Sequence, residues 1–346
     1  MLTIDGAQGE GGGQIVRSSL ALSLVTGRRV MIDNVRARRK RPGLMRQHLT
    51  AVTAAQRICG ARVEGAAIAS QRLVFDPDRV QAGDYHFDIG SAGSTTLVLQ
   101  TILPGLMLAR GESTVTLEGG THNPLAPPYE FLARVYLPLV ARLGPRVQVH
   151  LQRPGFYPAG GGRVAVTIHP CRHLGSLELL DRGQITGQHV RAVLARLPRH
   201  IAQRECQTVA TRSGWPPGCF EIEEIADSAG PGNAVLIEIV AEHVTELFSG
   251  FGERGVRAET VASRLWQAAR RYLDAGVPVG PHLADQLLLP LGIAAAAGTG
   301  GTFRTLALSQ HALTHIQVLH QFLDLQIDVT QHADDDCTVR IGPPGS

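Results

Sequence analysis

The sequence predicts a mixed α/β protein built from three copies of one β-α-β-α-β-β unit, with a smaller α/β domain inserted into the third copy. Three observations predict it. One order of strand and helix patterns recurs with a period of about 85 residues, the mark of a repeated supersecondary unit. The third copy becomes complete only when residues 182–276 are set aside. Composition supplies the last: 44% of the 346 residues are hydrophobic and 18% are charged. An average soluble domain is about 25% charged, so the chain can bury a sizeable core and is neither a disordered tail nor a supercharged nucleic-acid arm.

The elements follow in order. Residues 2–5 read as a short strand, 14–26 as a helix, 29–35 as a strand rich in Val and Ile, 44–59 as an amphipathic helix, and 61–66 and 72–76 as strands. The second copy has a strand over 84–89, a helix over 93–109, a strand over 113–118, a helix over 127–143 opened by Pro127-Pro128, and strands over 145–152 and 162–169. The third copy opens with a strand over 176–181 and resumes with helix 281–297, strand 302–307, helix 311–323 and strands 326–331 and 336–341. Inside the insertion the patterns predict helices near 187–212 and 257–275 and strands near 218–224 and 234–242. The expected domains are a body of residues 1–181 and 277–346 and an inserted domain of residues 182–276. The three copies of the body are residues 1–80, 81–170, and 171–181 with 277–346.

Residue counts remove several chemistries. Of the 33 Lys and Arg residues only Lys40 is a lysine, in Arg38-Arg39-Lys40-Arg41-Pro42-Gly43. No glycine run precedes it and no acidic residue closely follows, so P-loop, Schiff-base and lysine-based nucleotidyl-transfer mechanisms are all excluded. The five cysteines are widely spaced and form no C-x-x-C pair, which disfavours a disulfide framework or a structural zinc site and fits a reducing cytoplasm. Met1-Leu2-Thr3-Ile4-Asp5 lacks the basic and apolar regions of a secretory signal. Residues 287–301 are too short and too interrupted to span a bilayer. A soluble, cytoplasmic protein is expected, and the net charge of +3 permits an anionic partner without demanding one.

The repeat also locates the unusual loops. The first strand-to-helix junctions carry Gly6 to Gln14, then Gly90-Ser91-Ala92-Gly93-Ser94, then Pro281 to Gln286; the second carry Arg36 to Arg46, Gly119 to Pro124, and Ser309-Gln310-His311. Each precedes a predicted helix, whose N-terminal amides and partial positive charge suit an anion. Glu10, between Gly9 and Gly11, can hold a divalent metal against polyphosphate oxygens, and Arg17 can reach the same phosphates. Arg36, Arg38, Arg39, Lys40, Arg41 and Arg46 place six cations in eleven residues, a clamp for a phosphate backbone or end. No aromatic residue is interleaved there, so this segment is not a base-stacking platform. Phe156 to Gly162 carries no reactive side chain and reads as shape, with a ligand wall as its further use. Among 14 histidines, His311 stands out because it opens a helix at a junction equivalent to the other loops. A neutral imidazole is a competent nucleophile toward phosphorus, and His315, one turn on, could pair with His311 on a metal.

With these residues assembled, the chain resembles the RNA 3′-terminal phosphate cyclase family over residues 1–342. The resemblance is carried by Asp5-Gly6-Ala7-Gln8-Gly9-Glu10-Gly11-Gly12-Gly13-Gln14, Arg41-Pro42-Gly43-Leu44-Met45-Arg46-Gln47-His48, Gly119-Gly120-Thr121-His122-Asn123-Pro124 with Ala126-Pro127-Pro128, Tyr157-Pro158-Ala159-Gly160-Gly161-Gly162, Leu283-Ala284-Asp285-Gln286 and the His311 junction. It implies units similar to the C-terminal domain of a bacterial translation initiation factor and an inserted domain of thioredoxin-like topology. It further implies use of ATP with Mg2+ or Mn2+, an enzyme–AMP adduct on histidine, transfer of AMP to an RNA 3′-phosphate, and attack by the 2′-hydroxyl. By position, His311 resembles the adenylated nucleophile and Glu10 the metal-bound carboxylate. Gln100, Pro127, His282, Leu283, Ala284, Asp285 and Gln286 resemble nucleotide contacts, and Arg17, Arg36, Arg39, Arg41, Arg46 and Gln47 contacts to phosphate or the RNA end. His282 replaces the family's usual tyrosine, which alters the wall against adenine, and Pro154 stands where a basic residue or histidine usually precedes Gly155. The expected partner is RNA with a 3′-terminal phosphate. A non-catalytic cyclase-like RNA-binding factor in ribosome assembly is the competing reading, opposed by the presence of His311 and Glu10. An enolpyruvyl-transferase-like enzyme would share the repeated unit but not the adenylate motifs.

Overall fold

A parallel pair of strands cannot be closed by a tight turn and needs a crossover, usually a helix, and this requirement organises most of the chain. The structure is a computed structural model and describes residues 1–345. In the first unit, β1 (Leu2–Asp5) crosses through α1 (Gly13–Thr26) to the parallel β2 (Val30–Asp33). Helix α2 (Arg46–Cys59) then leads to β3 (Arg62–Glu64) and β4 (Leu73–Asp76), which pair antiparallel, giving the sheet order β1-β2-β4-β3. Both helices end on a glycine in the left-handed region, Gly27 and Gly60, where no side chain resists the turn.

The second unit repeats this with β5 (Asp84–Asp88), α3 (Thr95–Met107), β6 (Ser113–Gly119), α4 (Tyr129–Phe131), a π-helical turn (Leu132–Tyr136), α5 (Leu137–Arg142), β7 (Arg146–Arg153) and β8 (Gly162–His169), in the order β5-β6-β8-β7. Strand β9 (Leu177–Leu179) then begins a third sheet. Next come β10 (Ile185–Ala195), α6 (His200–Ser213), β11 (Phe220–Ile225), β12 (Gly232–Ala241), β13 (Thr245–Phe251) and α7 (Ala258–Ala275), with sheet order β11-β10-β12-β13. The chain returns through α8 (Pro281–Ala296), β14 (Gly301–Thr305), α9 (Gln310–Phe322), β15 (Gln326–Ala333) and β16 (Asp336–Gly342) to give β9-β14-β16-β15. Three sheets therefore share one strand order, each with its first two strands parallel and the rest antiparallel.

One apolar cluster runs through all three units. Helices join the units within it: α1 packs against α3 and α9, and α8 against α9. Helix α3 is apolar nearly all round and buried all round except at Gln100, as a helix without a solvent face must be. The inserted elements have a separate core around Val235, Ile237, Trp266 and Tyr272.

The expected helix over 187–212 is corrected: residues 185–195 form β10 and only His200–Ser213 is helical. Strand β10 is central, paired on both sides, and buries Val190 and then Ala192 to Ala195 in succession. A strand buried on both faces loses its period-two signature and can be read as a helix. Pro198 and the left-handed Arg196 then separate it from α6. Strand β13, which the sequence patterns do not predict, hides its period for a similar reason, Glu246 to Phe248 being buried in succession beside β12.

A chain of charges ties this sheet to the second unit. The buried Glu130 binds His122 at 3.0 Å and Arg191 of β10 at 2.6 Å, and Arg191 continues to Glu223 at 3.0 Å. Phe156 packs with Val193, Ala195 and Ala234, and its ring fills the space a Cβ on Gly232 would need. A Cβ on Gly161 would strike Ala229 and one on Gly230 would strike Ala159. The glycine-rich segment is thus the seat on which the inserted sheet rests.

Glu205, fully buried on α6, accepts from Asn233 at 2.9 Å, while its own Oε1 and Asn233 Oδ1 have no partner among the described residues. Burial pushes its carboxyl up to about 7, against smaller opposing effects of Asn233 and Arg204. The folded chain holds this proton more tightly than the unfolded chain, so the stability it contributes is full below the ordinary value of 4.5 and is lost as pH rises to about 7. We expect Glu205→Gln to raise the melting temperature at about pH 8 and to change it little at about pH 4. An equal shift at both pH values in a thermal melt would show that folding does not raise the proton affinity of this carboxyl.

Candidate active site

The glycine loop after β1, the arginine loop after β2, the start of α8 and the start of α9 meet at one place. Helix α9 begins at a serine cap, Ser309 Oγ accepting from the Ala312 amide at 3.2 Å, which fixes His311 in its first turn. One turn further on, Thr314 Oγ1 accepts from the Glu10 amide at 3.0 Å. This contact explains Gly9: its φ is +50° and the place a Cβ would take lies 2.3 Å from Thr314 Oγ1. The loop is pinned to α9, and the Glu10 carboxylate is brought onto His311.

Glu10 Oε2 lies 2.6 Å from His311 Nδ1, and Glu10 Oε1 accepts from Arg39 at 2.9 Å. Burial pushes the Glu10 carboxyl up, but hydrogen bonds from His311 and Arg39 and the nearby positive charge outweigh it and hold it below its ordinary value. An ionised carboxylate can only accept, so Nδ1 carries the proton. In the neutral ring the lone pair is then on Nε2, which faces Asp285 Oδ2 at 3.8 Å. The imidazole is part-exposed.

Asp285 is buried on α8. Its Oδ1 accepts from Gln14 Nε2 at 2.6 Å and bonds His315 Nδ1 at 3.1 Å, and its Oδ2 accepts from Gln286 at 3.2 Å. Burial pushes this carboxyl up, and the bonds to His315 and Gln14 more than offset it, leaving it below its ordinary value. His315 Nε2 meets Ser18 Oγ at 3.0 Å. Both ring nitrogens are therefore taken, which corrects the reading of His315 as a metal partner of His311. Among the described residues no group of three or more His, Cys, Asp or Glu side chains could hold a metal by itself.

The cations divide into distinct roles. Arg39 pairs with Glu10. Arg36, left-handed at φ +53°, donates to the carbonyls of Arg41 and Gly43 at 2.8 Å each and so folds its own loop. Arg46 donates to Gly90 O at 3.1 Å, and Gln47 Oε1 accepts from the Ser94 amide at 2.7 Å, so these two join the first unit to the start of α3. Arg41 is exposed. Arg17 lies at the inner end of the site, its guanidinium pushed down to about 10 by burial, with Asp285 opposing.

Gln100 donates to Gln286 and thereby links α3 to α8. The Pro127 carbonyl accepts from Thr96 at 2.8 Å. Leu283 and Ala284 are core residues, so only their main chain can reach a ligand. His282 is exposed at the first turn of α8, where it lines a cavity of about 230 Å³ with Phe248, Phe251, Val256 and Leu265. Ser18 and Thr314 were not singled out from the sequence. Each is a common helix residue whose partner is about 300 residues away, and no local pattern marks it.

The fold and site define a repeated α/β protein with a carboxylate-oriented histidine set among arginines and helix N-termini. The family model of RNA 3′-terminal phosphate cyclase matches residues 8–329. The chain is 48% identical over 337 residues to the RNA 3′-terminal phosphate cyclase of Koribacter versatilis, covering 97% of this chain and 93% of that one. It is 48% identical over 341 residues to the protein of that name from Ralstonia nicotianae, covering 98% and 96%, and 49% identical over 330 residues to that of Ectopseudomonas mendocina, covering 95% of each. The chain belongs to the RNA 3′-terminal phosphate cyclase family.

Replacing Gly9 with alanine should cost about 1–3 kcal/mol, from the positive φ and the clash with Thr314. The check is a denaturant melt of Gly9→Ala beside Thr314→Ala. If the loop is held as described, the double variant should lose less than the sum of the two.

Proposed function

We propose that this protein converts an RNA 3′-terminal phosphate to a 2′,3′-cyclic phosphate at the expense of ATP, through a histidine–AMP adduct. The observation that carries the reading is the Glu10–His311 hydrogen bond, which commits the ring proton to Nδ1 and leaves Nε2 as a nitrogen nucleophile. The names of the relatives support the overall reaction.

In the first step Nε2 attacks the α-phosphorus of ATP, the bond to the bridging oxygen breaks, and pyrophosphate leaves. The imidazole becomes positively charged as the N–P bond forms, and Glu10 at Nδ1 together with Asp285 near Nε2 stabilises that charge where it develops. In the second step an oxygen of the RNA 3′-phosphate attacks the same phosphorus and the N–P bond breaks, returning the electron pair to Nε2. In the third the 2′-hydroxyl attacks the 3′-phosphorus, loses its proton, and expels AMP. The sequence of steps has a physical reason: a phosphate monoester dianion is a poor electrophile, whereas its anhydride with AMP carries a good leaving group.

Gln100, Pro127, Leu283, Ala284 and Gln286 would contact the nucleotide, and His282 lines a cavity on the side of the inserted elements. Arg17, Arg39 and Arg41 supply positive charge for phosphate, whereas Arg36 shapes its loop and Arg46 and Gln47 tie the first unit to the second. A divalent metal fits only in part. With Arg39 withdrawn, one Glu10 oxygen would be available, and Mg2+ commonly takes one or two carboxylates and completes its shell with substrate phosphates and water. Mg2+ or Mn2+ arriving with ATP would therefore be held by Glu10 and would neutralise phosphate charge.

Incubation with labelled ATP and Mg2+ should give an acid-labile protein–AMP bond, absent in His311→Ala; an adduct that survives in that variant moves the nucleophile elsewhere. Glu10→Gln should slow adduct formation by about 10–100-fold, as loss of an orienting partner does. The cations make a separate prediction. Arg41→Ala should lower the salt slope of RNA binding by about 0.7, the value for one phosphate contact on a single strand. Arg36→Ala should act chiefly on the melting temperature, since its guanidinium is spent on Arg41 and Gly43 carbonyls.

A further inference from the structure

The arginine loop accounts for the rim of the site but leaves its inner end unexplained. Helix α1 starts at Gly13 with Gly12 as N-cap; no side chain caps it and its first turn has no acidic residue. Its first amides are therefore free donors in a partially positive field. Two further donors come to this end. Arg17 folds back one turn along α1, bringing Nη1 3.1 Å from the place a Cβ on Gly13 would occupy. His48, in the first turn of α2, is only 8% exposed, and its Nε2 lies 2.1 Å from that same place. An alanine at residue 13 would collide with the imidazole, so the glycine is there for close approach.

The protonation of His48 follows from one bond. Its Nδ1 accepts the Met45 amide at 3.1 Å, and a backbone N–H can only donate. Nδ1 is thus bare and the proton of the neutral ring is on Nε2. The charges that face this ring are the guanidiniums of Arg17 on α1 and of Arg36 after β2; burial first, then these two charges, hold it down to about 3. It is neutral at any working pH. Neither the Nε2–H of His48 nor the guanidinium of Arg17 is hydrogen-bonded to a protein acceptor among the described residues.

We propose that His48 is a phosphate-binding residue, its Nε2–H closing with the Arg17 guanidinium and the first amides of α1 on one phosphate group. A neutral donor suits this position, because a second full charge beside Arg17 and Arg36 would be repelled, while an N–H group still completes the set of bonds around phosphate oxygens. The phosphate can come from the RNA end or from the nucleotide, and only that choice of source rests on the cyclase reading.

The site is tested without turnover by titrating inorganic phosphate into the full-length protein by calorimetry. Wild-type affinity should not fall from about pH 6 to 8, since no histidine charge is lost and the ligand becomes dianionic. His48→Phe should weaken binding by about tenfold or more, and His48→Gln, which keeps an N–H donor, should stay within about threefold of wild type. Equal binding by His48→Phe and wild type overturns the proposal, as does failure of His48→Gln to rescue binding at an unchanged melting temperature. Should His48→Phe not fold, NMR of the histidine ring nitrogens in the wild-type protein decides: Nε2 must carry the proton and must shift when phosphate is added, and a proton on Nδ1 or no shift overturns it. The source is read from turnover of His48→Gln and His48→Phe. A raised KM for a 3′-phosphorylated oligonucleotide assigns the RNA end, a raised KM for ATP assigns the nucleotide, and no change in either counts against the site. A wild-type protein that binds inorganic phosphate as expected yet forms no cyclic end would sink the reaction assigned above and leave this site standing.

Discussion

Glu10 and His311 are 301 residues apart, and the 2.6 Å hydrogen bond between them exists only when the first and third units are docked. The docking is enforced just beneath it. Thr314 holds the Glu10 amide, Gln14 of α1 reaches Asp285 of α8, and Ser18 of α1 reaches His315 of α9. All are polar contacts at the edge of an apolar interface between α1, α8 and α9. Burying polar groups there is favourable only if every one finds its partner, so the network selects one register of the helices. The orientation of the histidine is a by-product of that register.

The threefold repeat explains why such a site forms where it does. Each unit has two strand-to-helix junctions in the same order, and junctions of different units meet: that before α1 with the start of α9, and the start of α2 with that before α3. The first unit contributes a glycine loop with one carboxylate and the third a capped histidine, while the second uses its junctions to bind neighbours: Ser94 takes up Gln47, and Gly90 takes up Arg46. The first junction of one unit and the second junction of another thus meet through Glu10 and His311, while the first junction of the second unit serves as scaffolding.

The repeat was legible because its strands are bounded by glycines and its first helices are apolar enough to be buried. Strands 2–5 and 162–169 lie where their alternation places them. Strand β10 was not legible, since a central strand hides its period. Within the site, Glu10 could be picked out by its glycine flanks and His311 by its junction. The division of the arginines could not. Arg36, Arg39, Arg41 and Arg46 look alike in sequence, and only the folded loop shows one spent on carbonyls, one on Glu10, one on the second unit and one exposed. His48 is similar, because its role depends on an amide three residues away and a glycine on another helix.

The inserted elements bear on the site through two buried acids with opposite tendencies. Glu130 is driven down to about 2 despite burial, because His122 and Arg191 surround it, and removing either partner would leave a buried charge less fully compensated. Glu246 on β13 is pushed up to about 7 by burial, although it accepts from the Gly280 amide at 2.7 Å and the Leu247 amide at 3.0 Å. Gly280 is the N-cap of α8, five residues before Asp285. The inserted sheet is therefore fastened to the second unit by a permanent charge and to α8 by a carboxyl whose charge depends on pH. Any rotation of the inserted elements that broke the Glu246 contact would free the Gly280 amide at the N-cap of α8, the helix that carries Asp285, so the position of the inserted sheet and the hydrogen-bonded network around His311 are not independent.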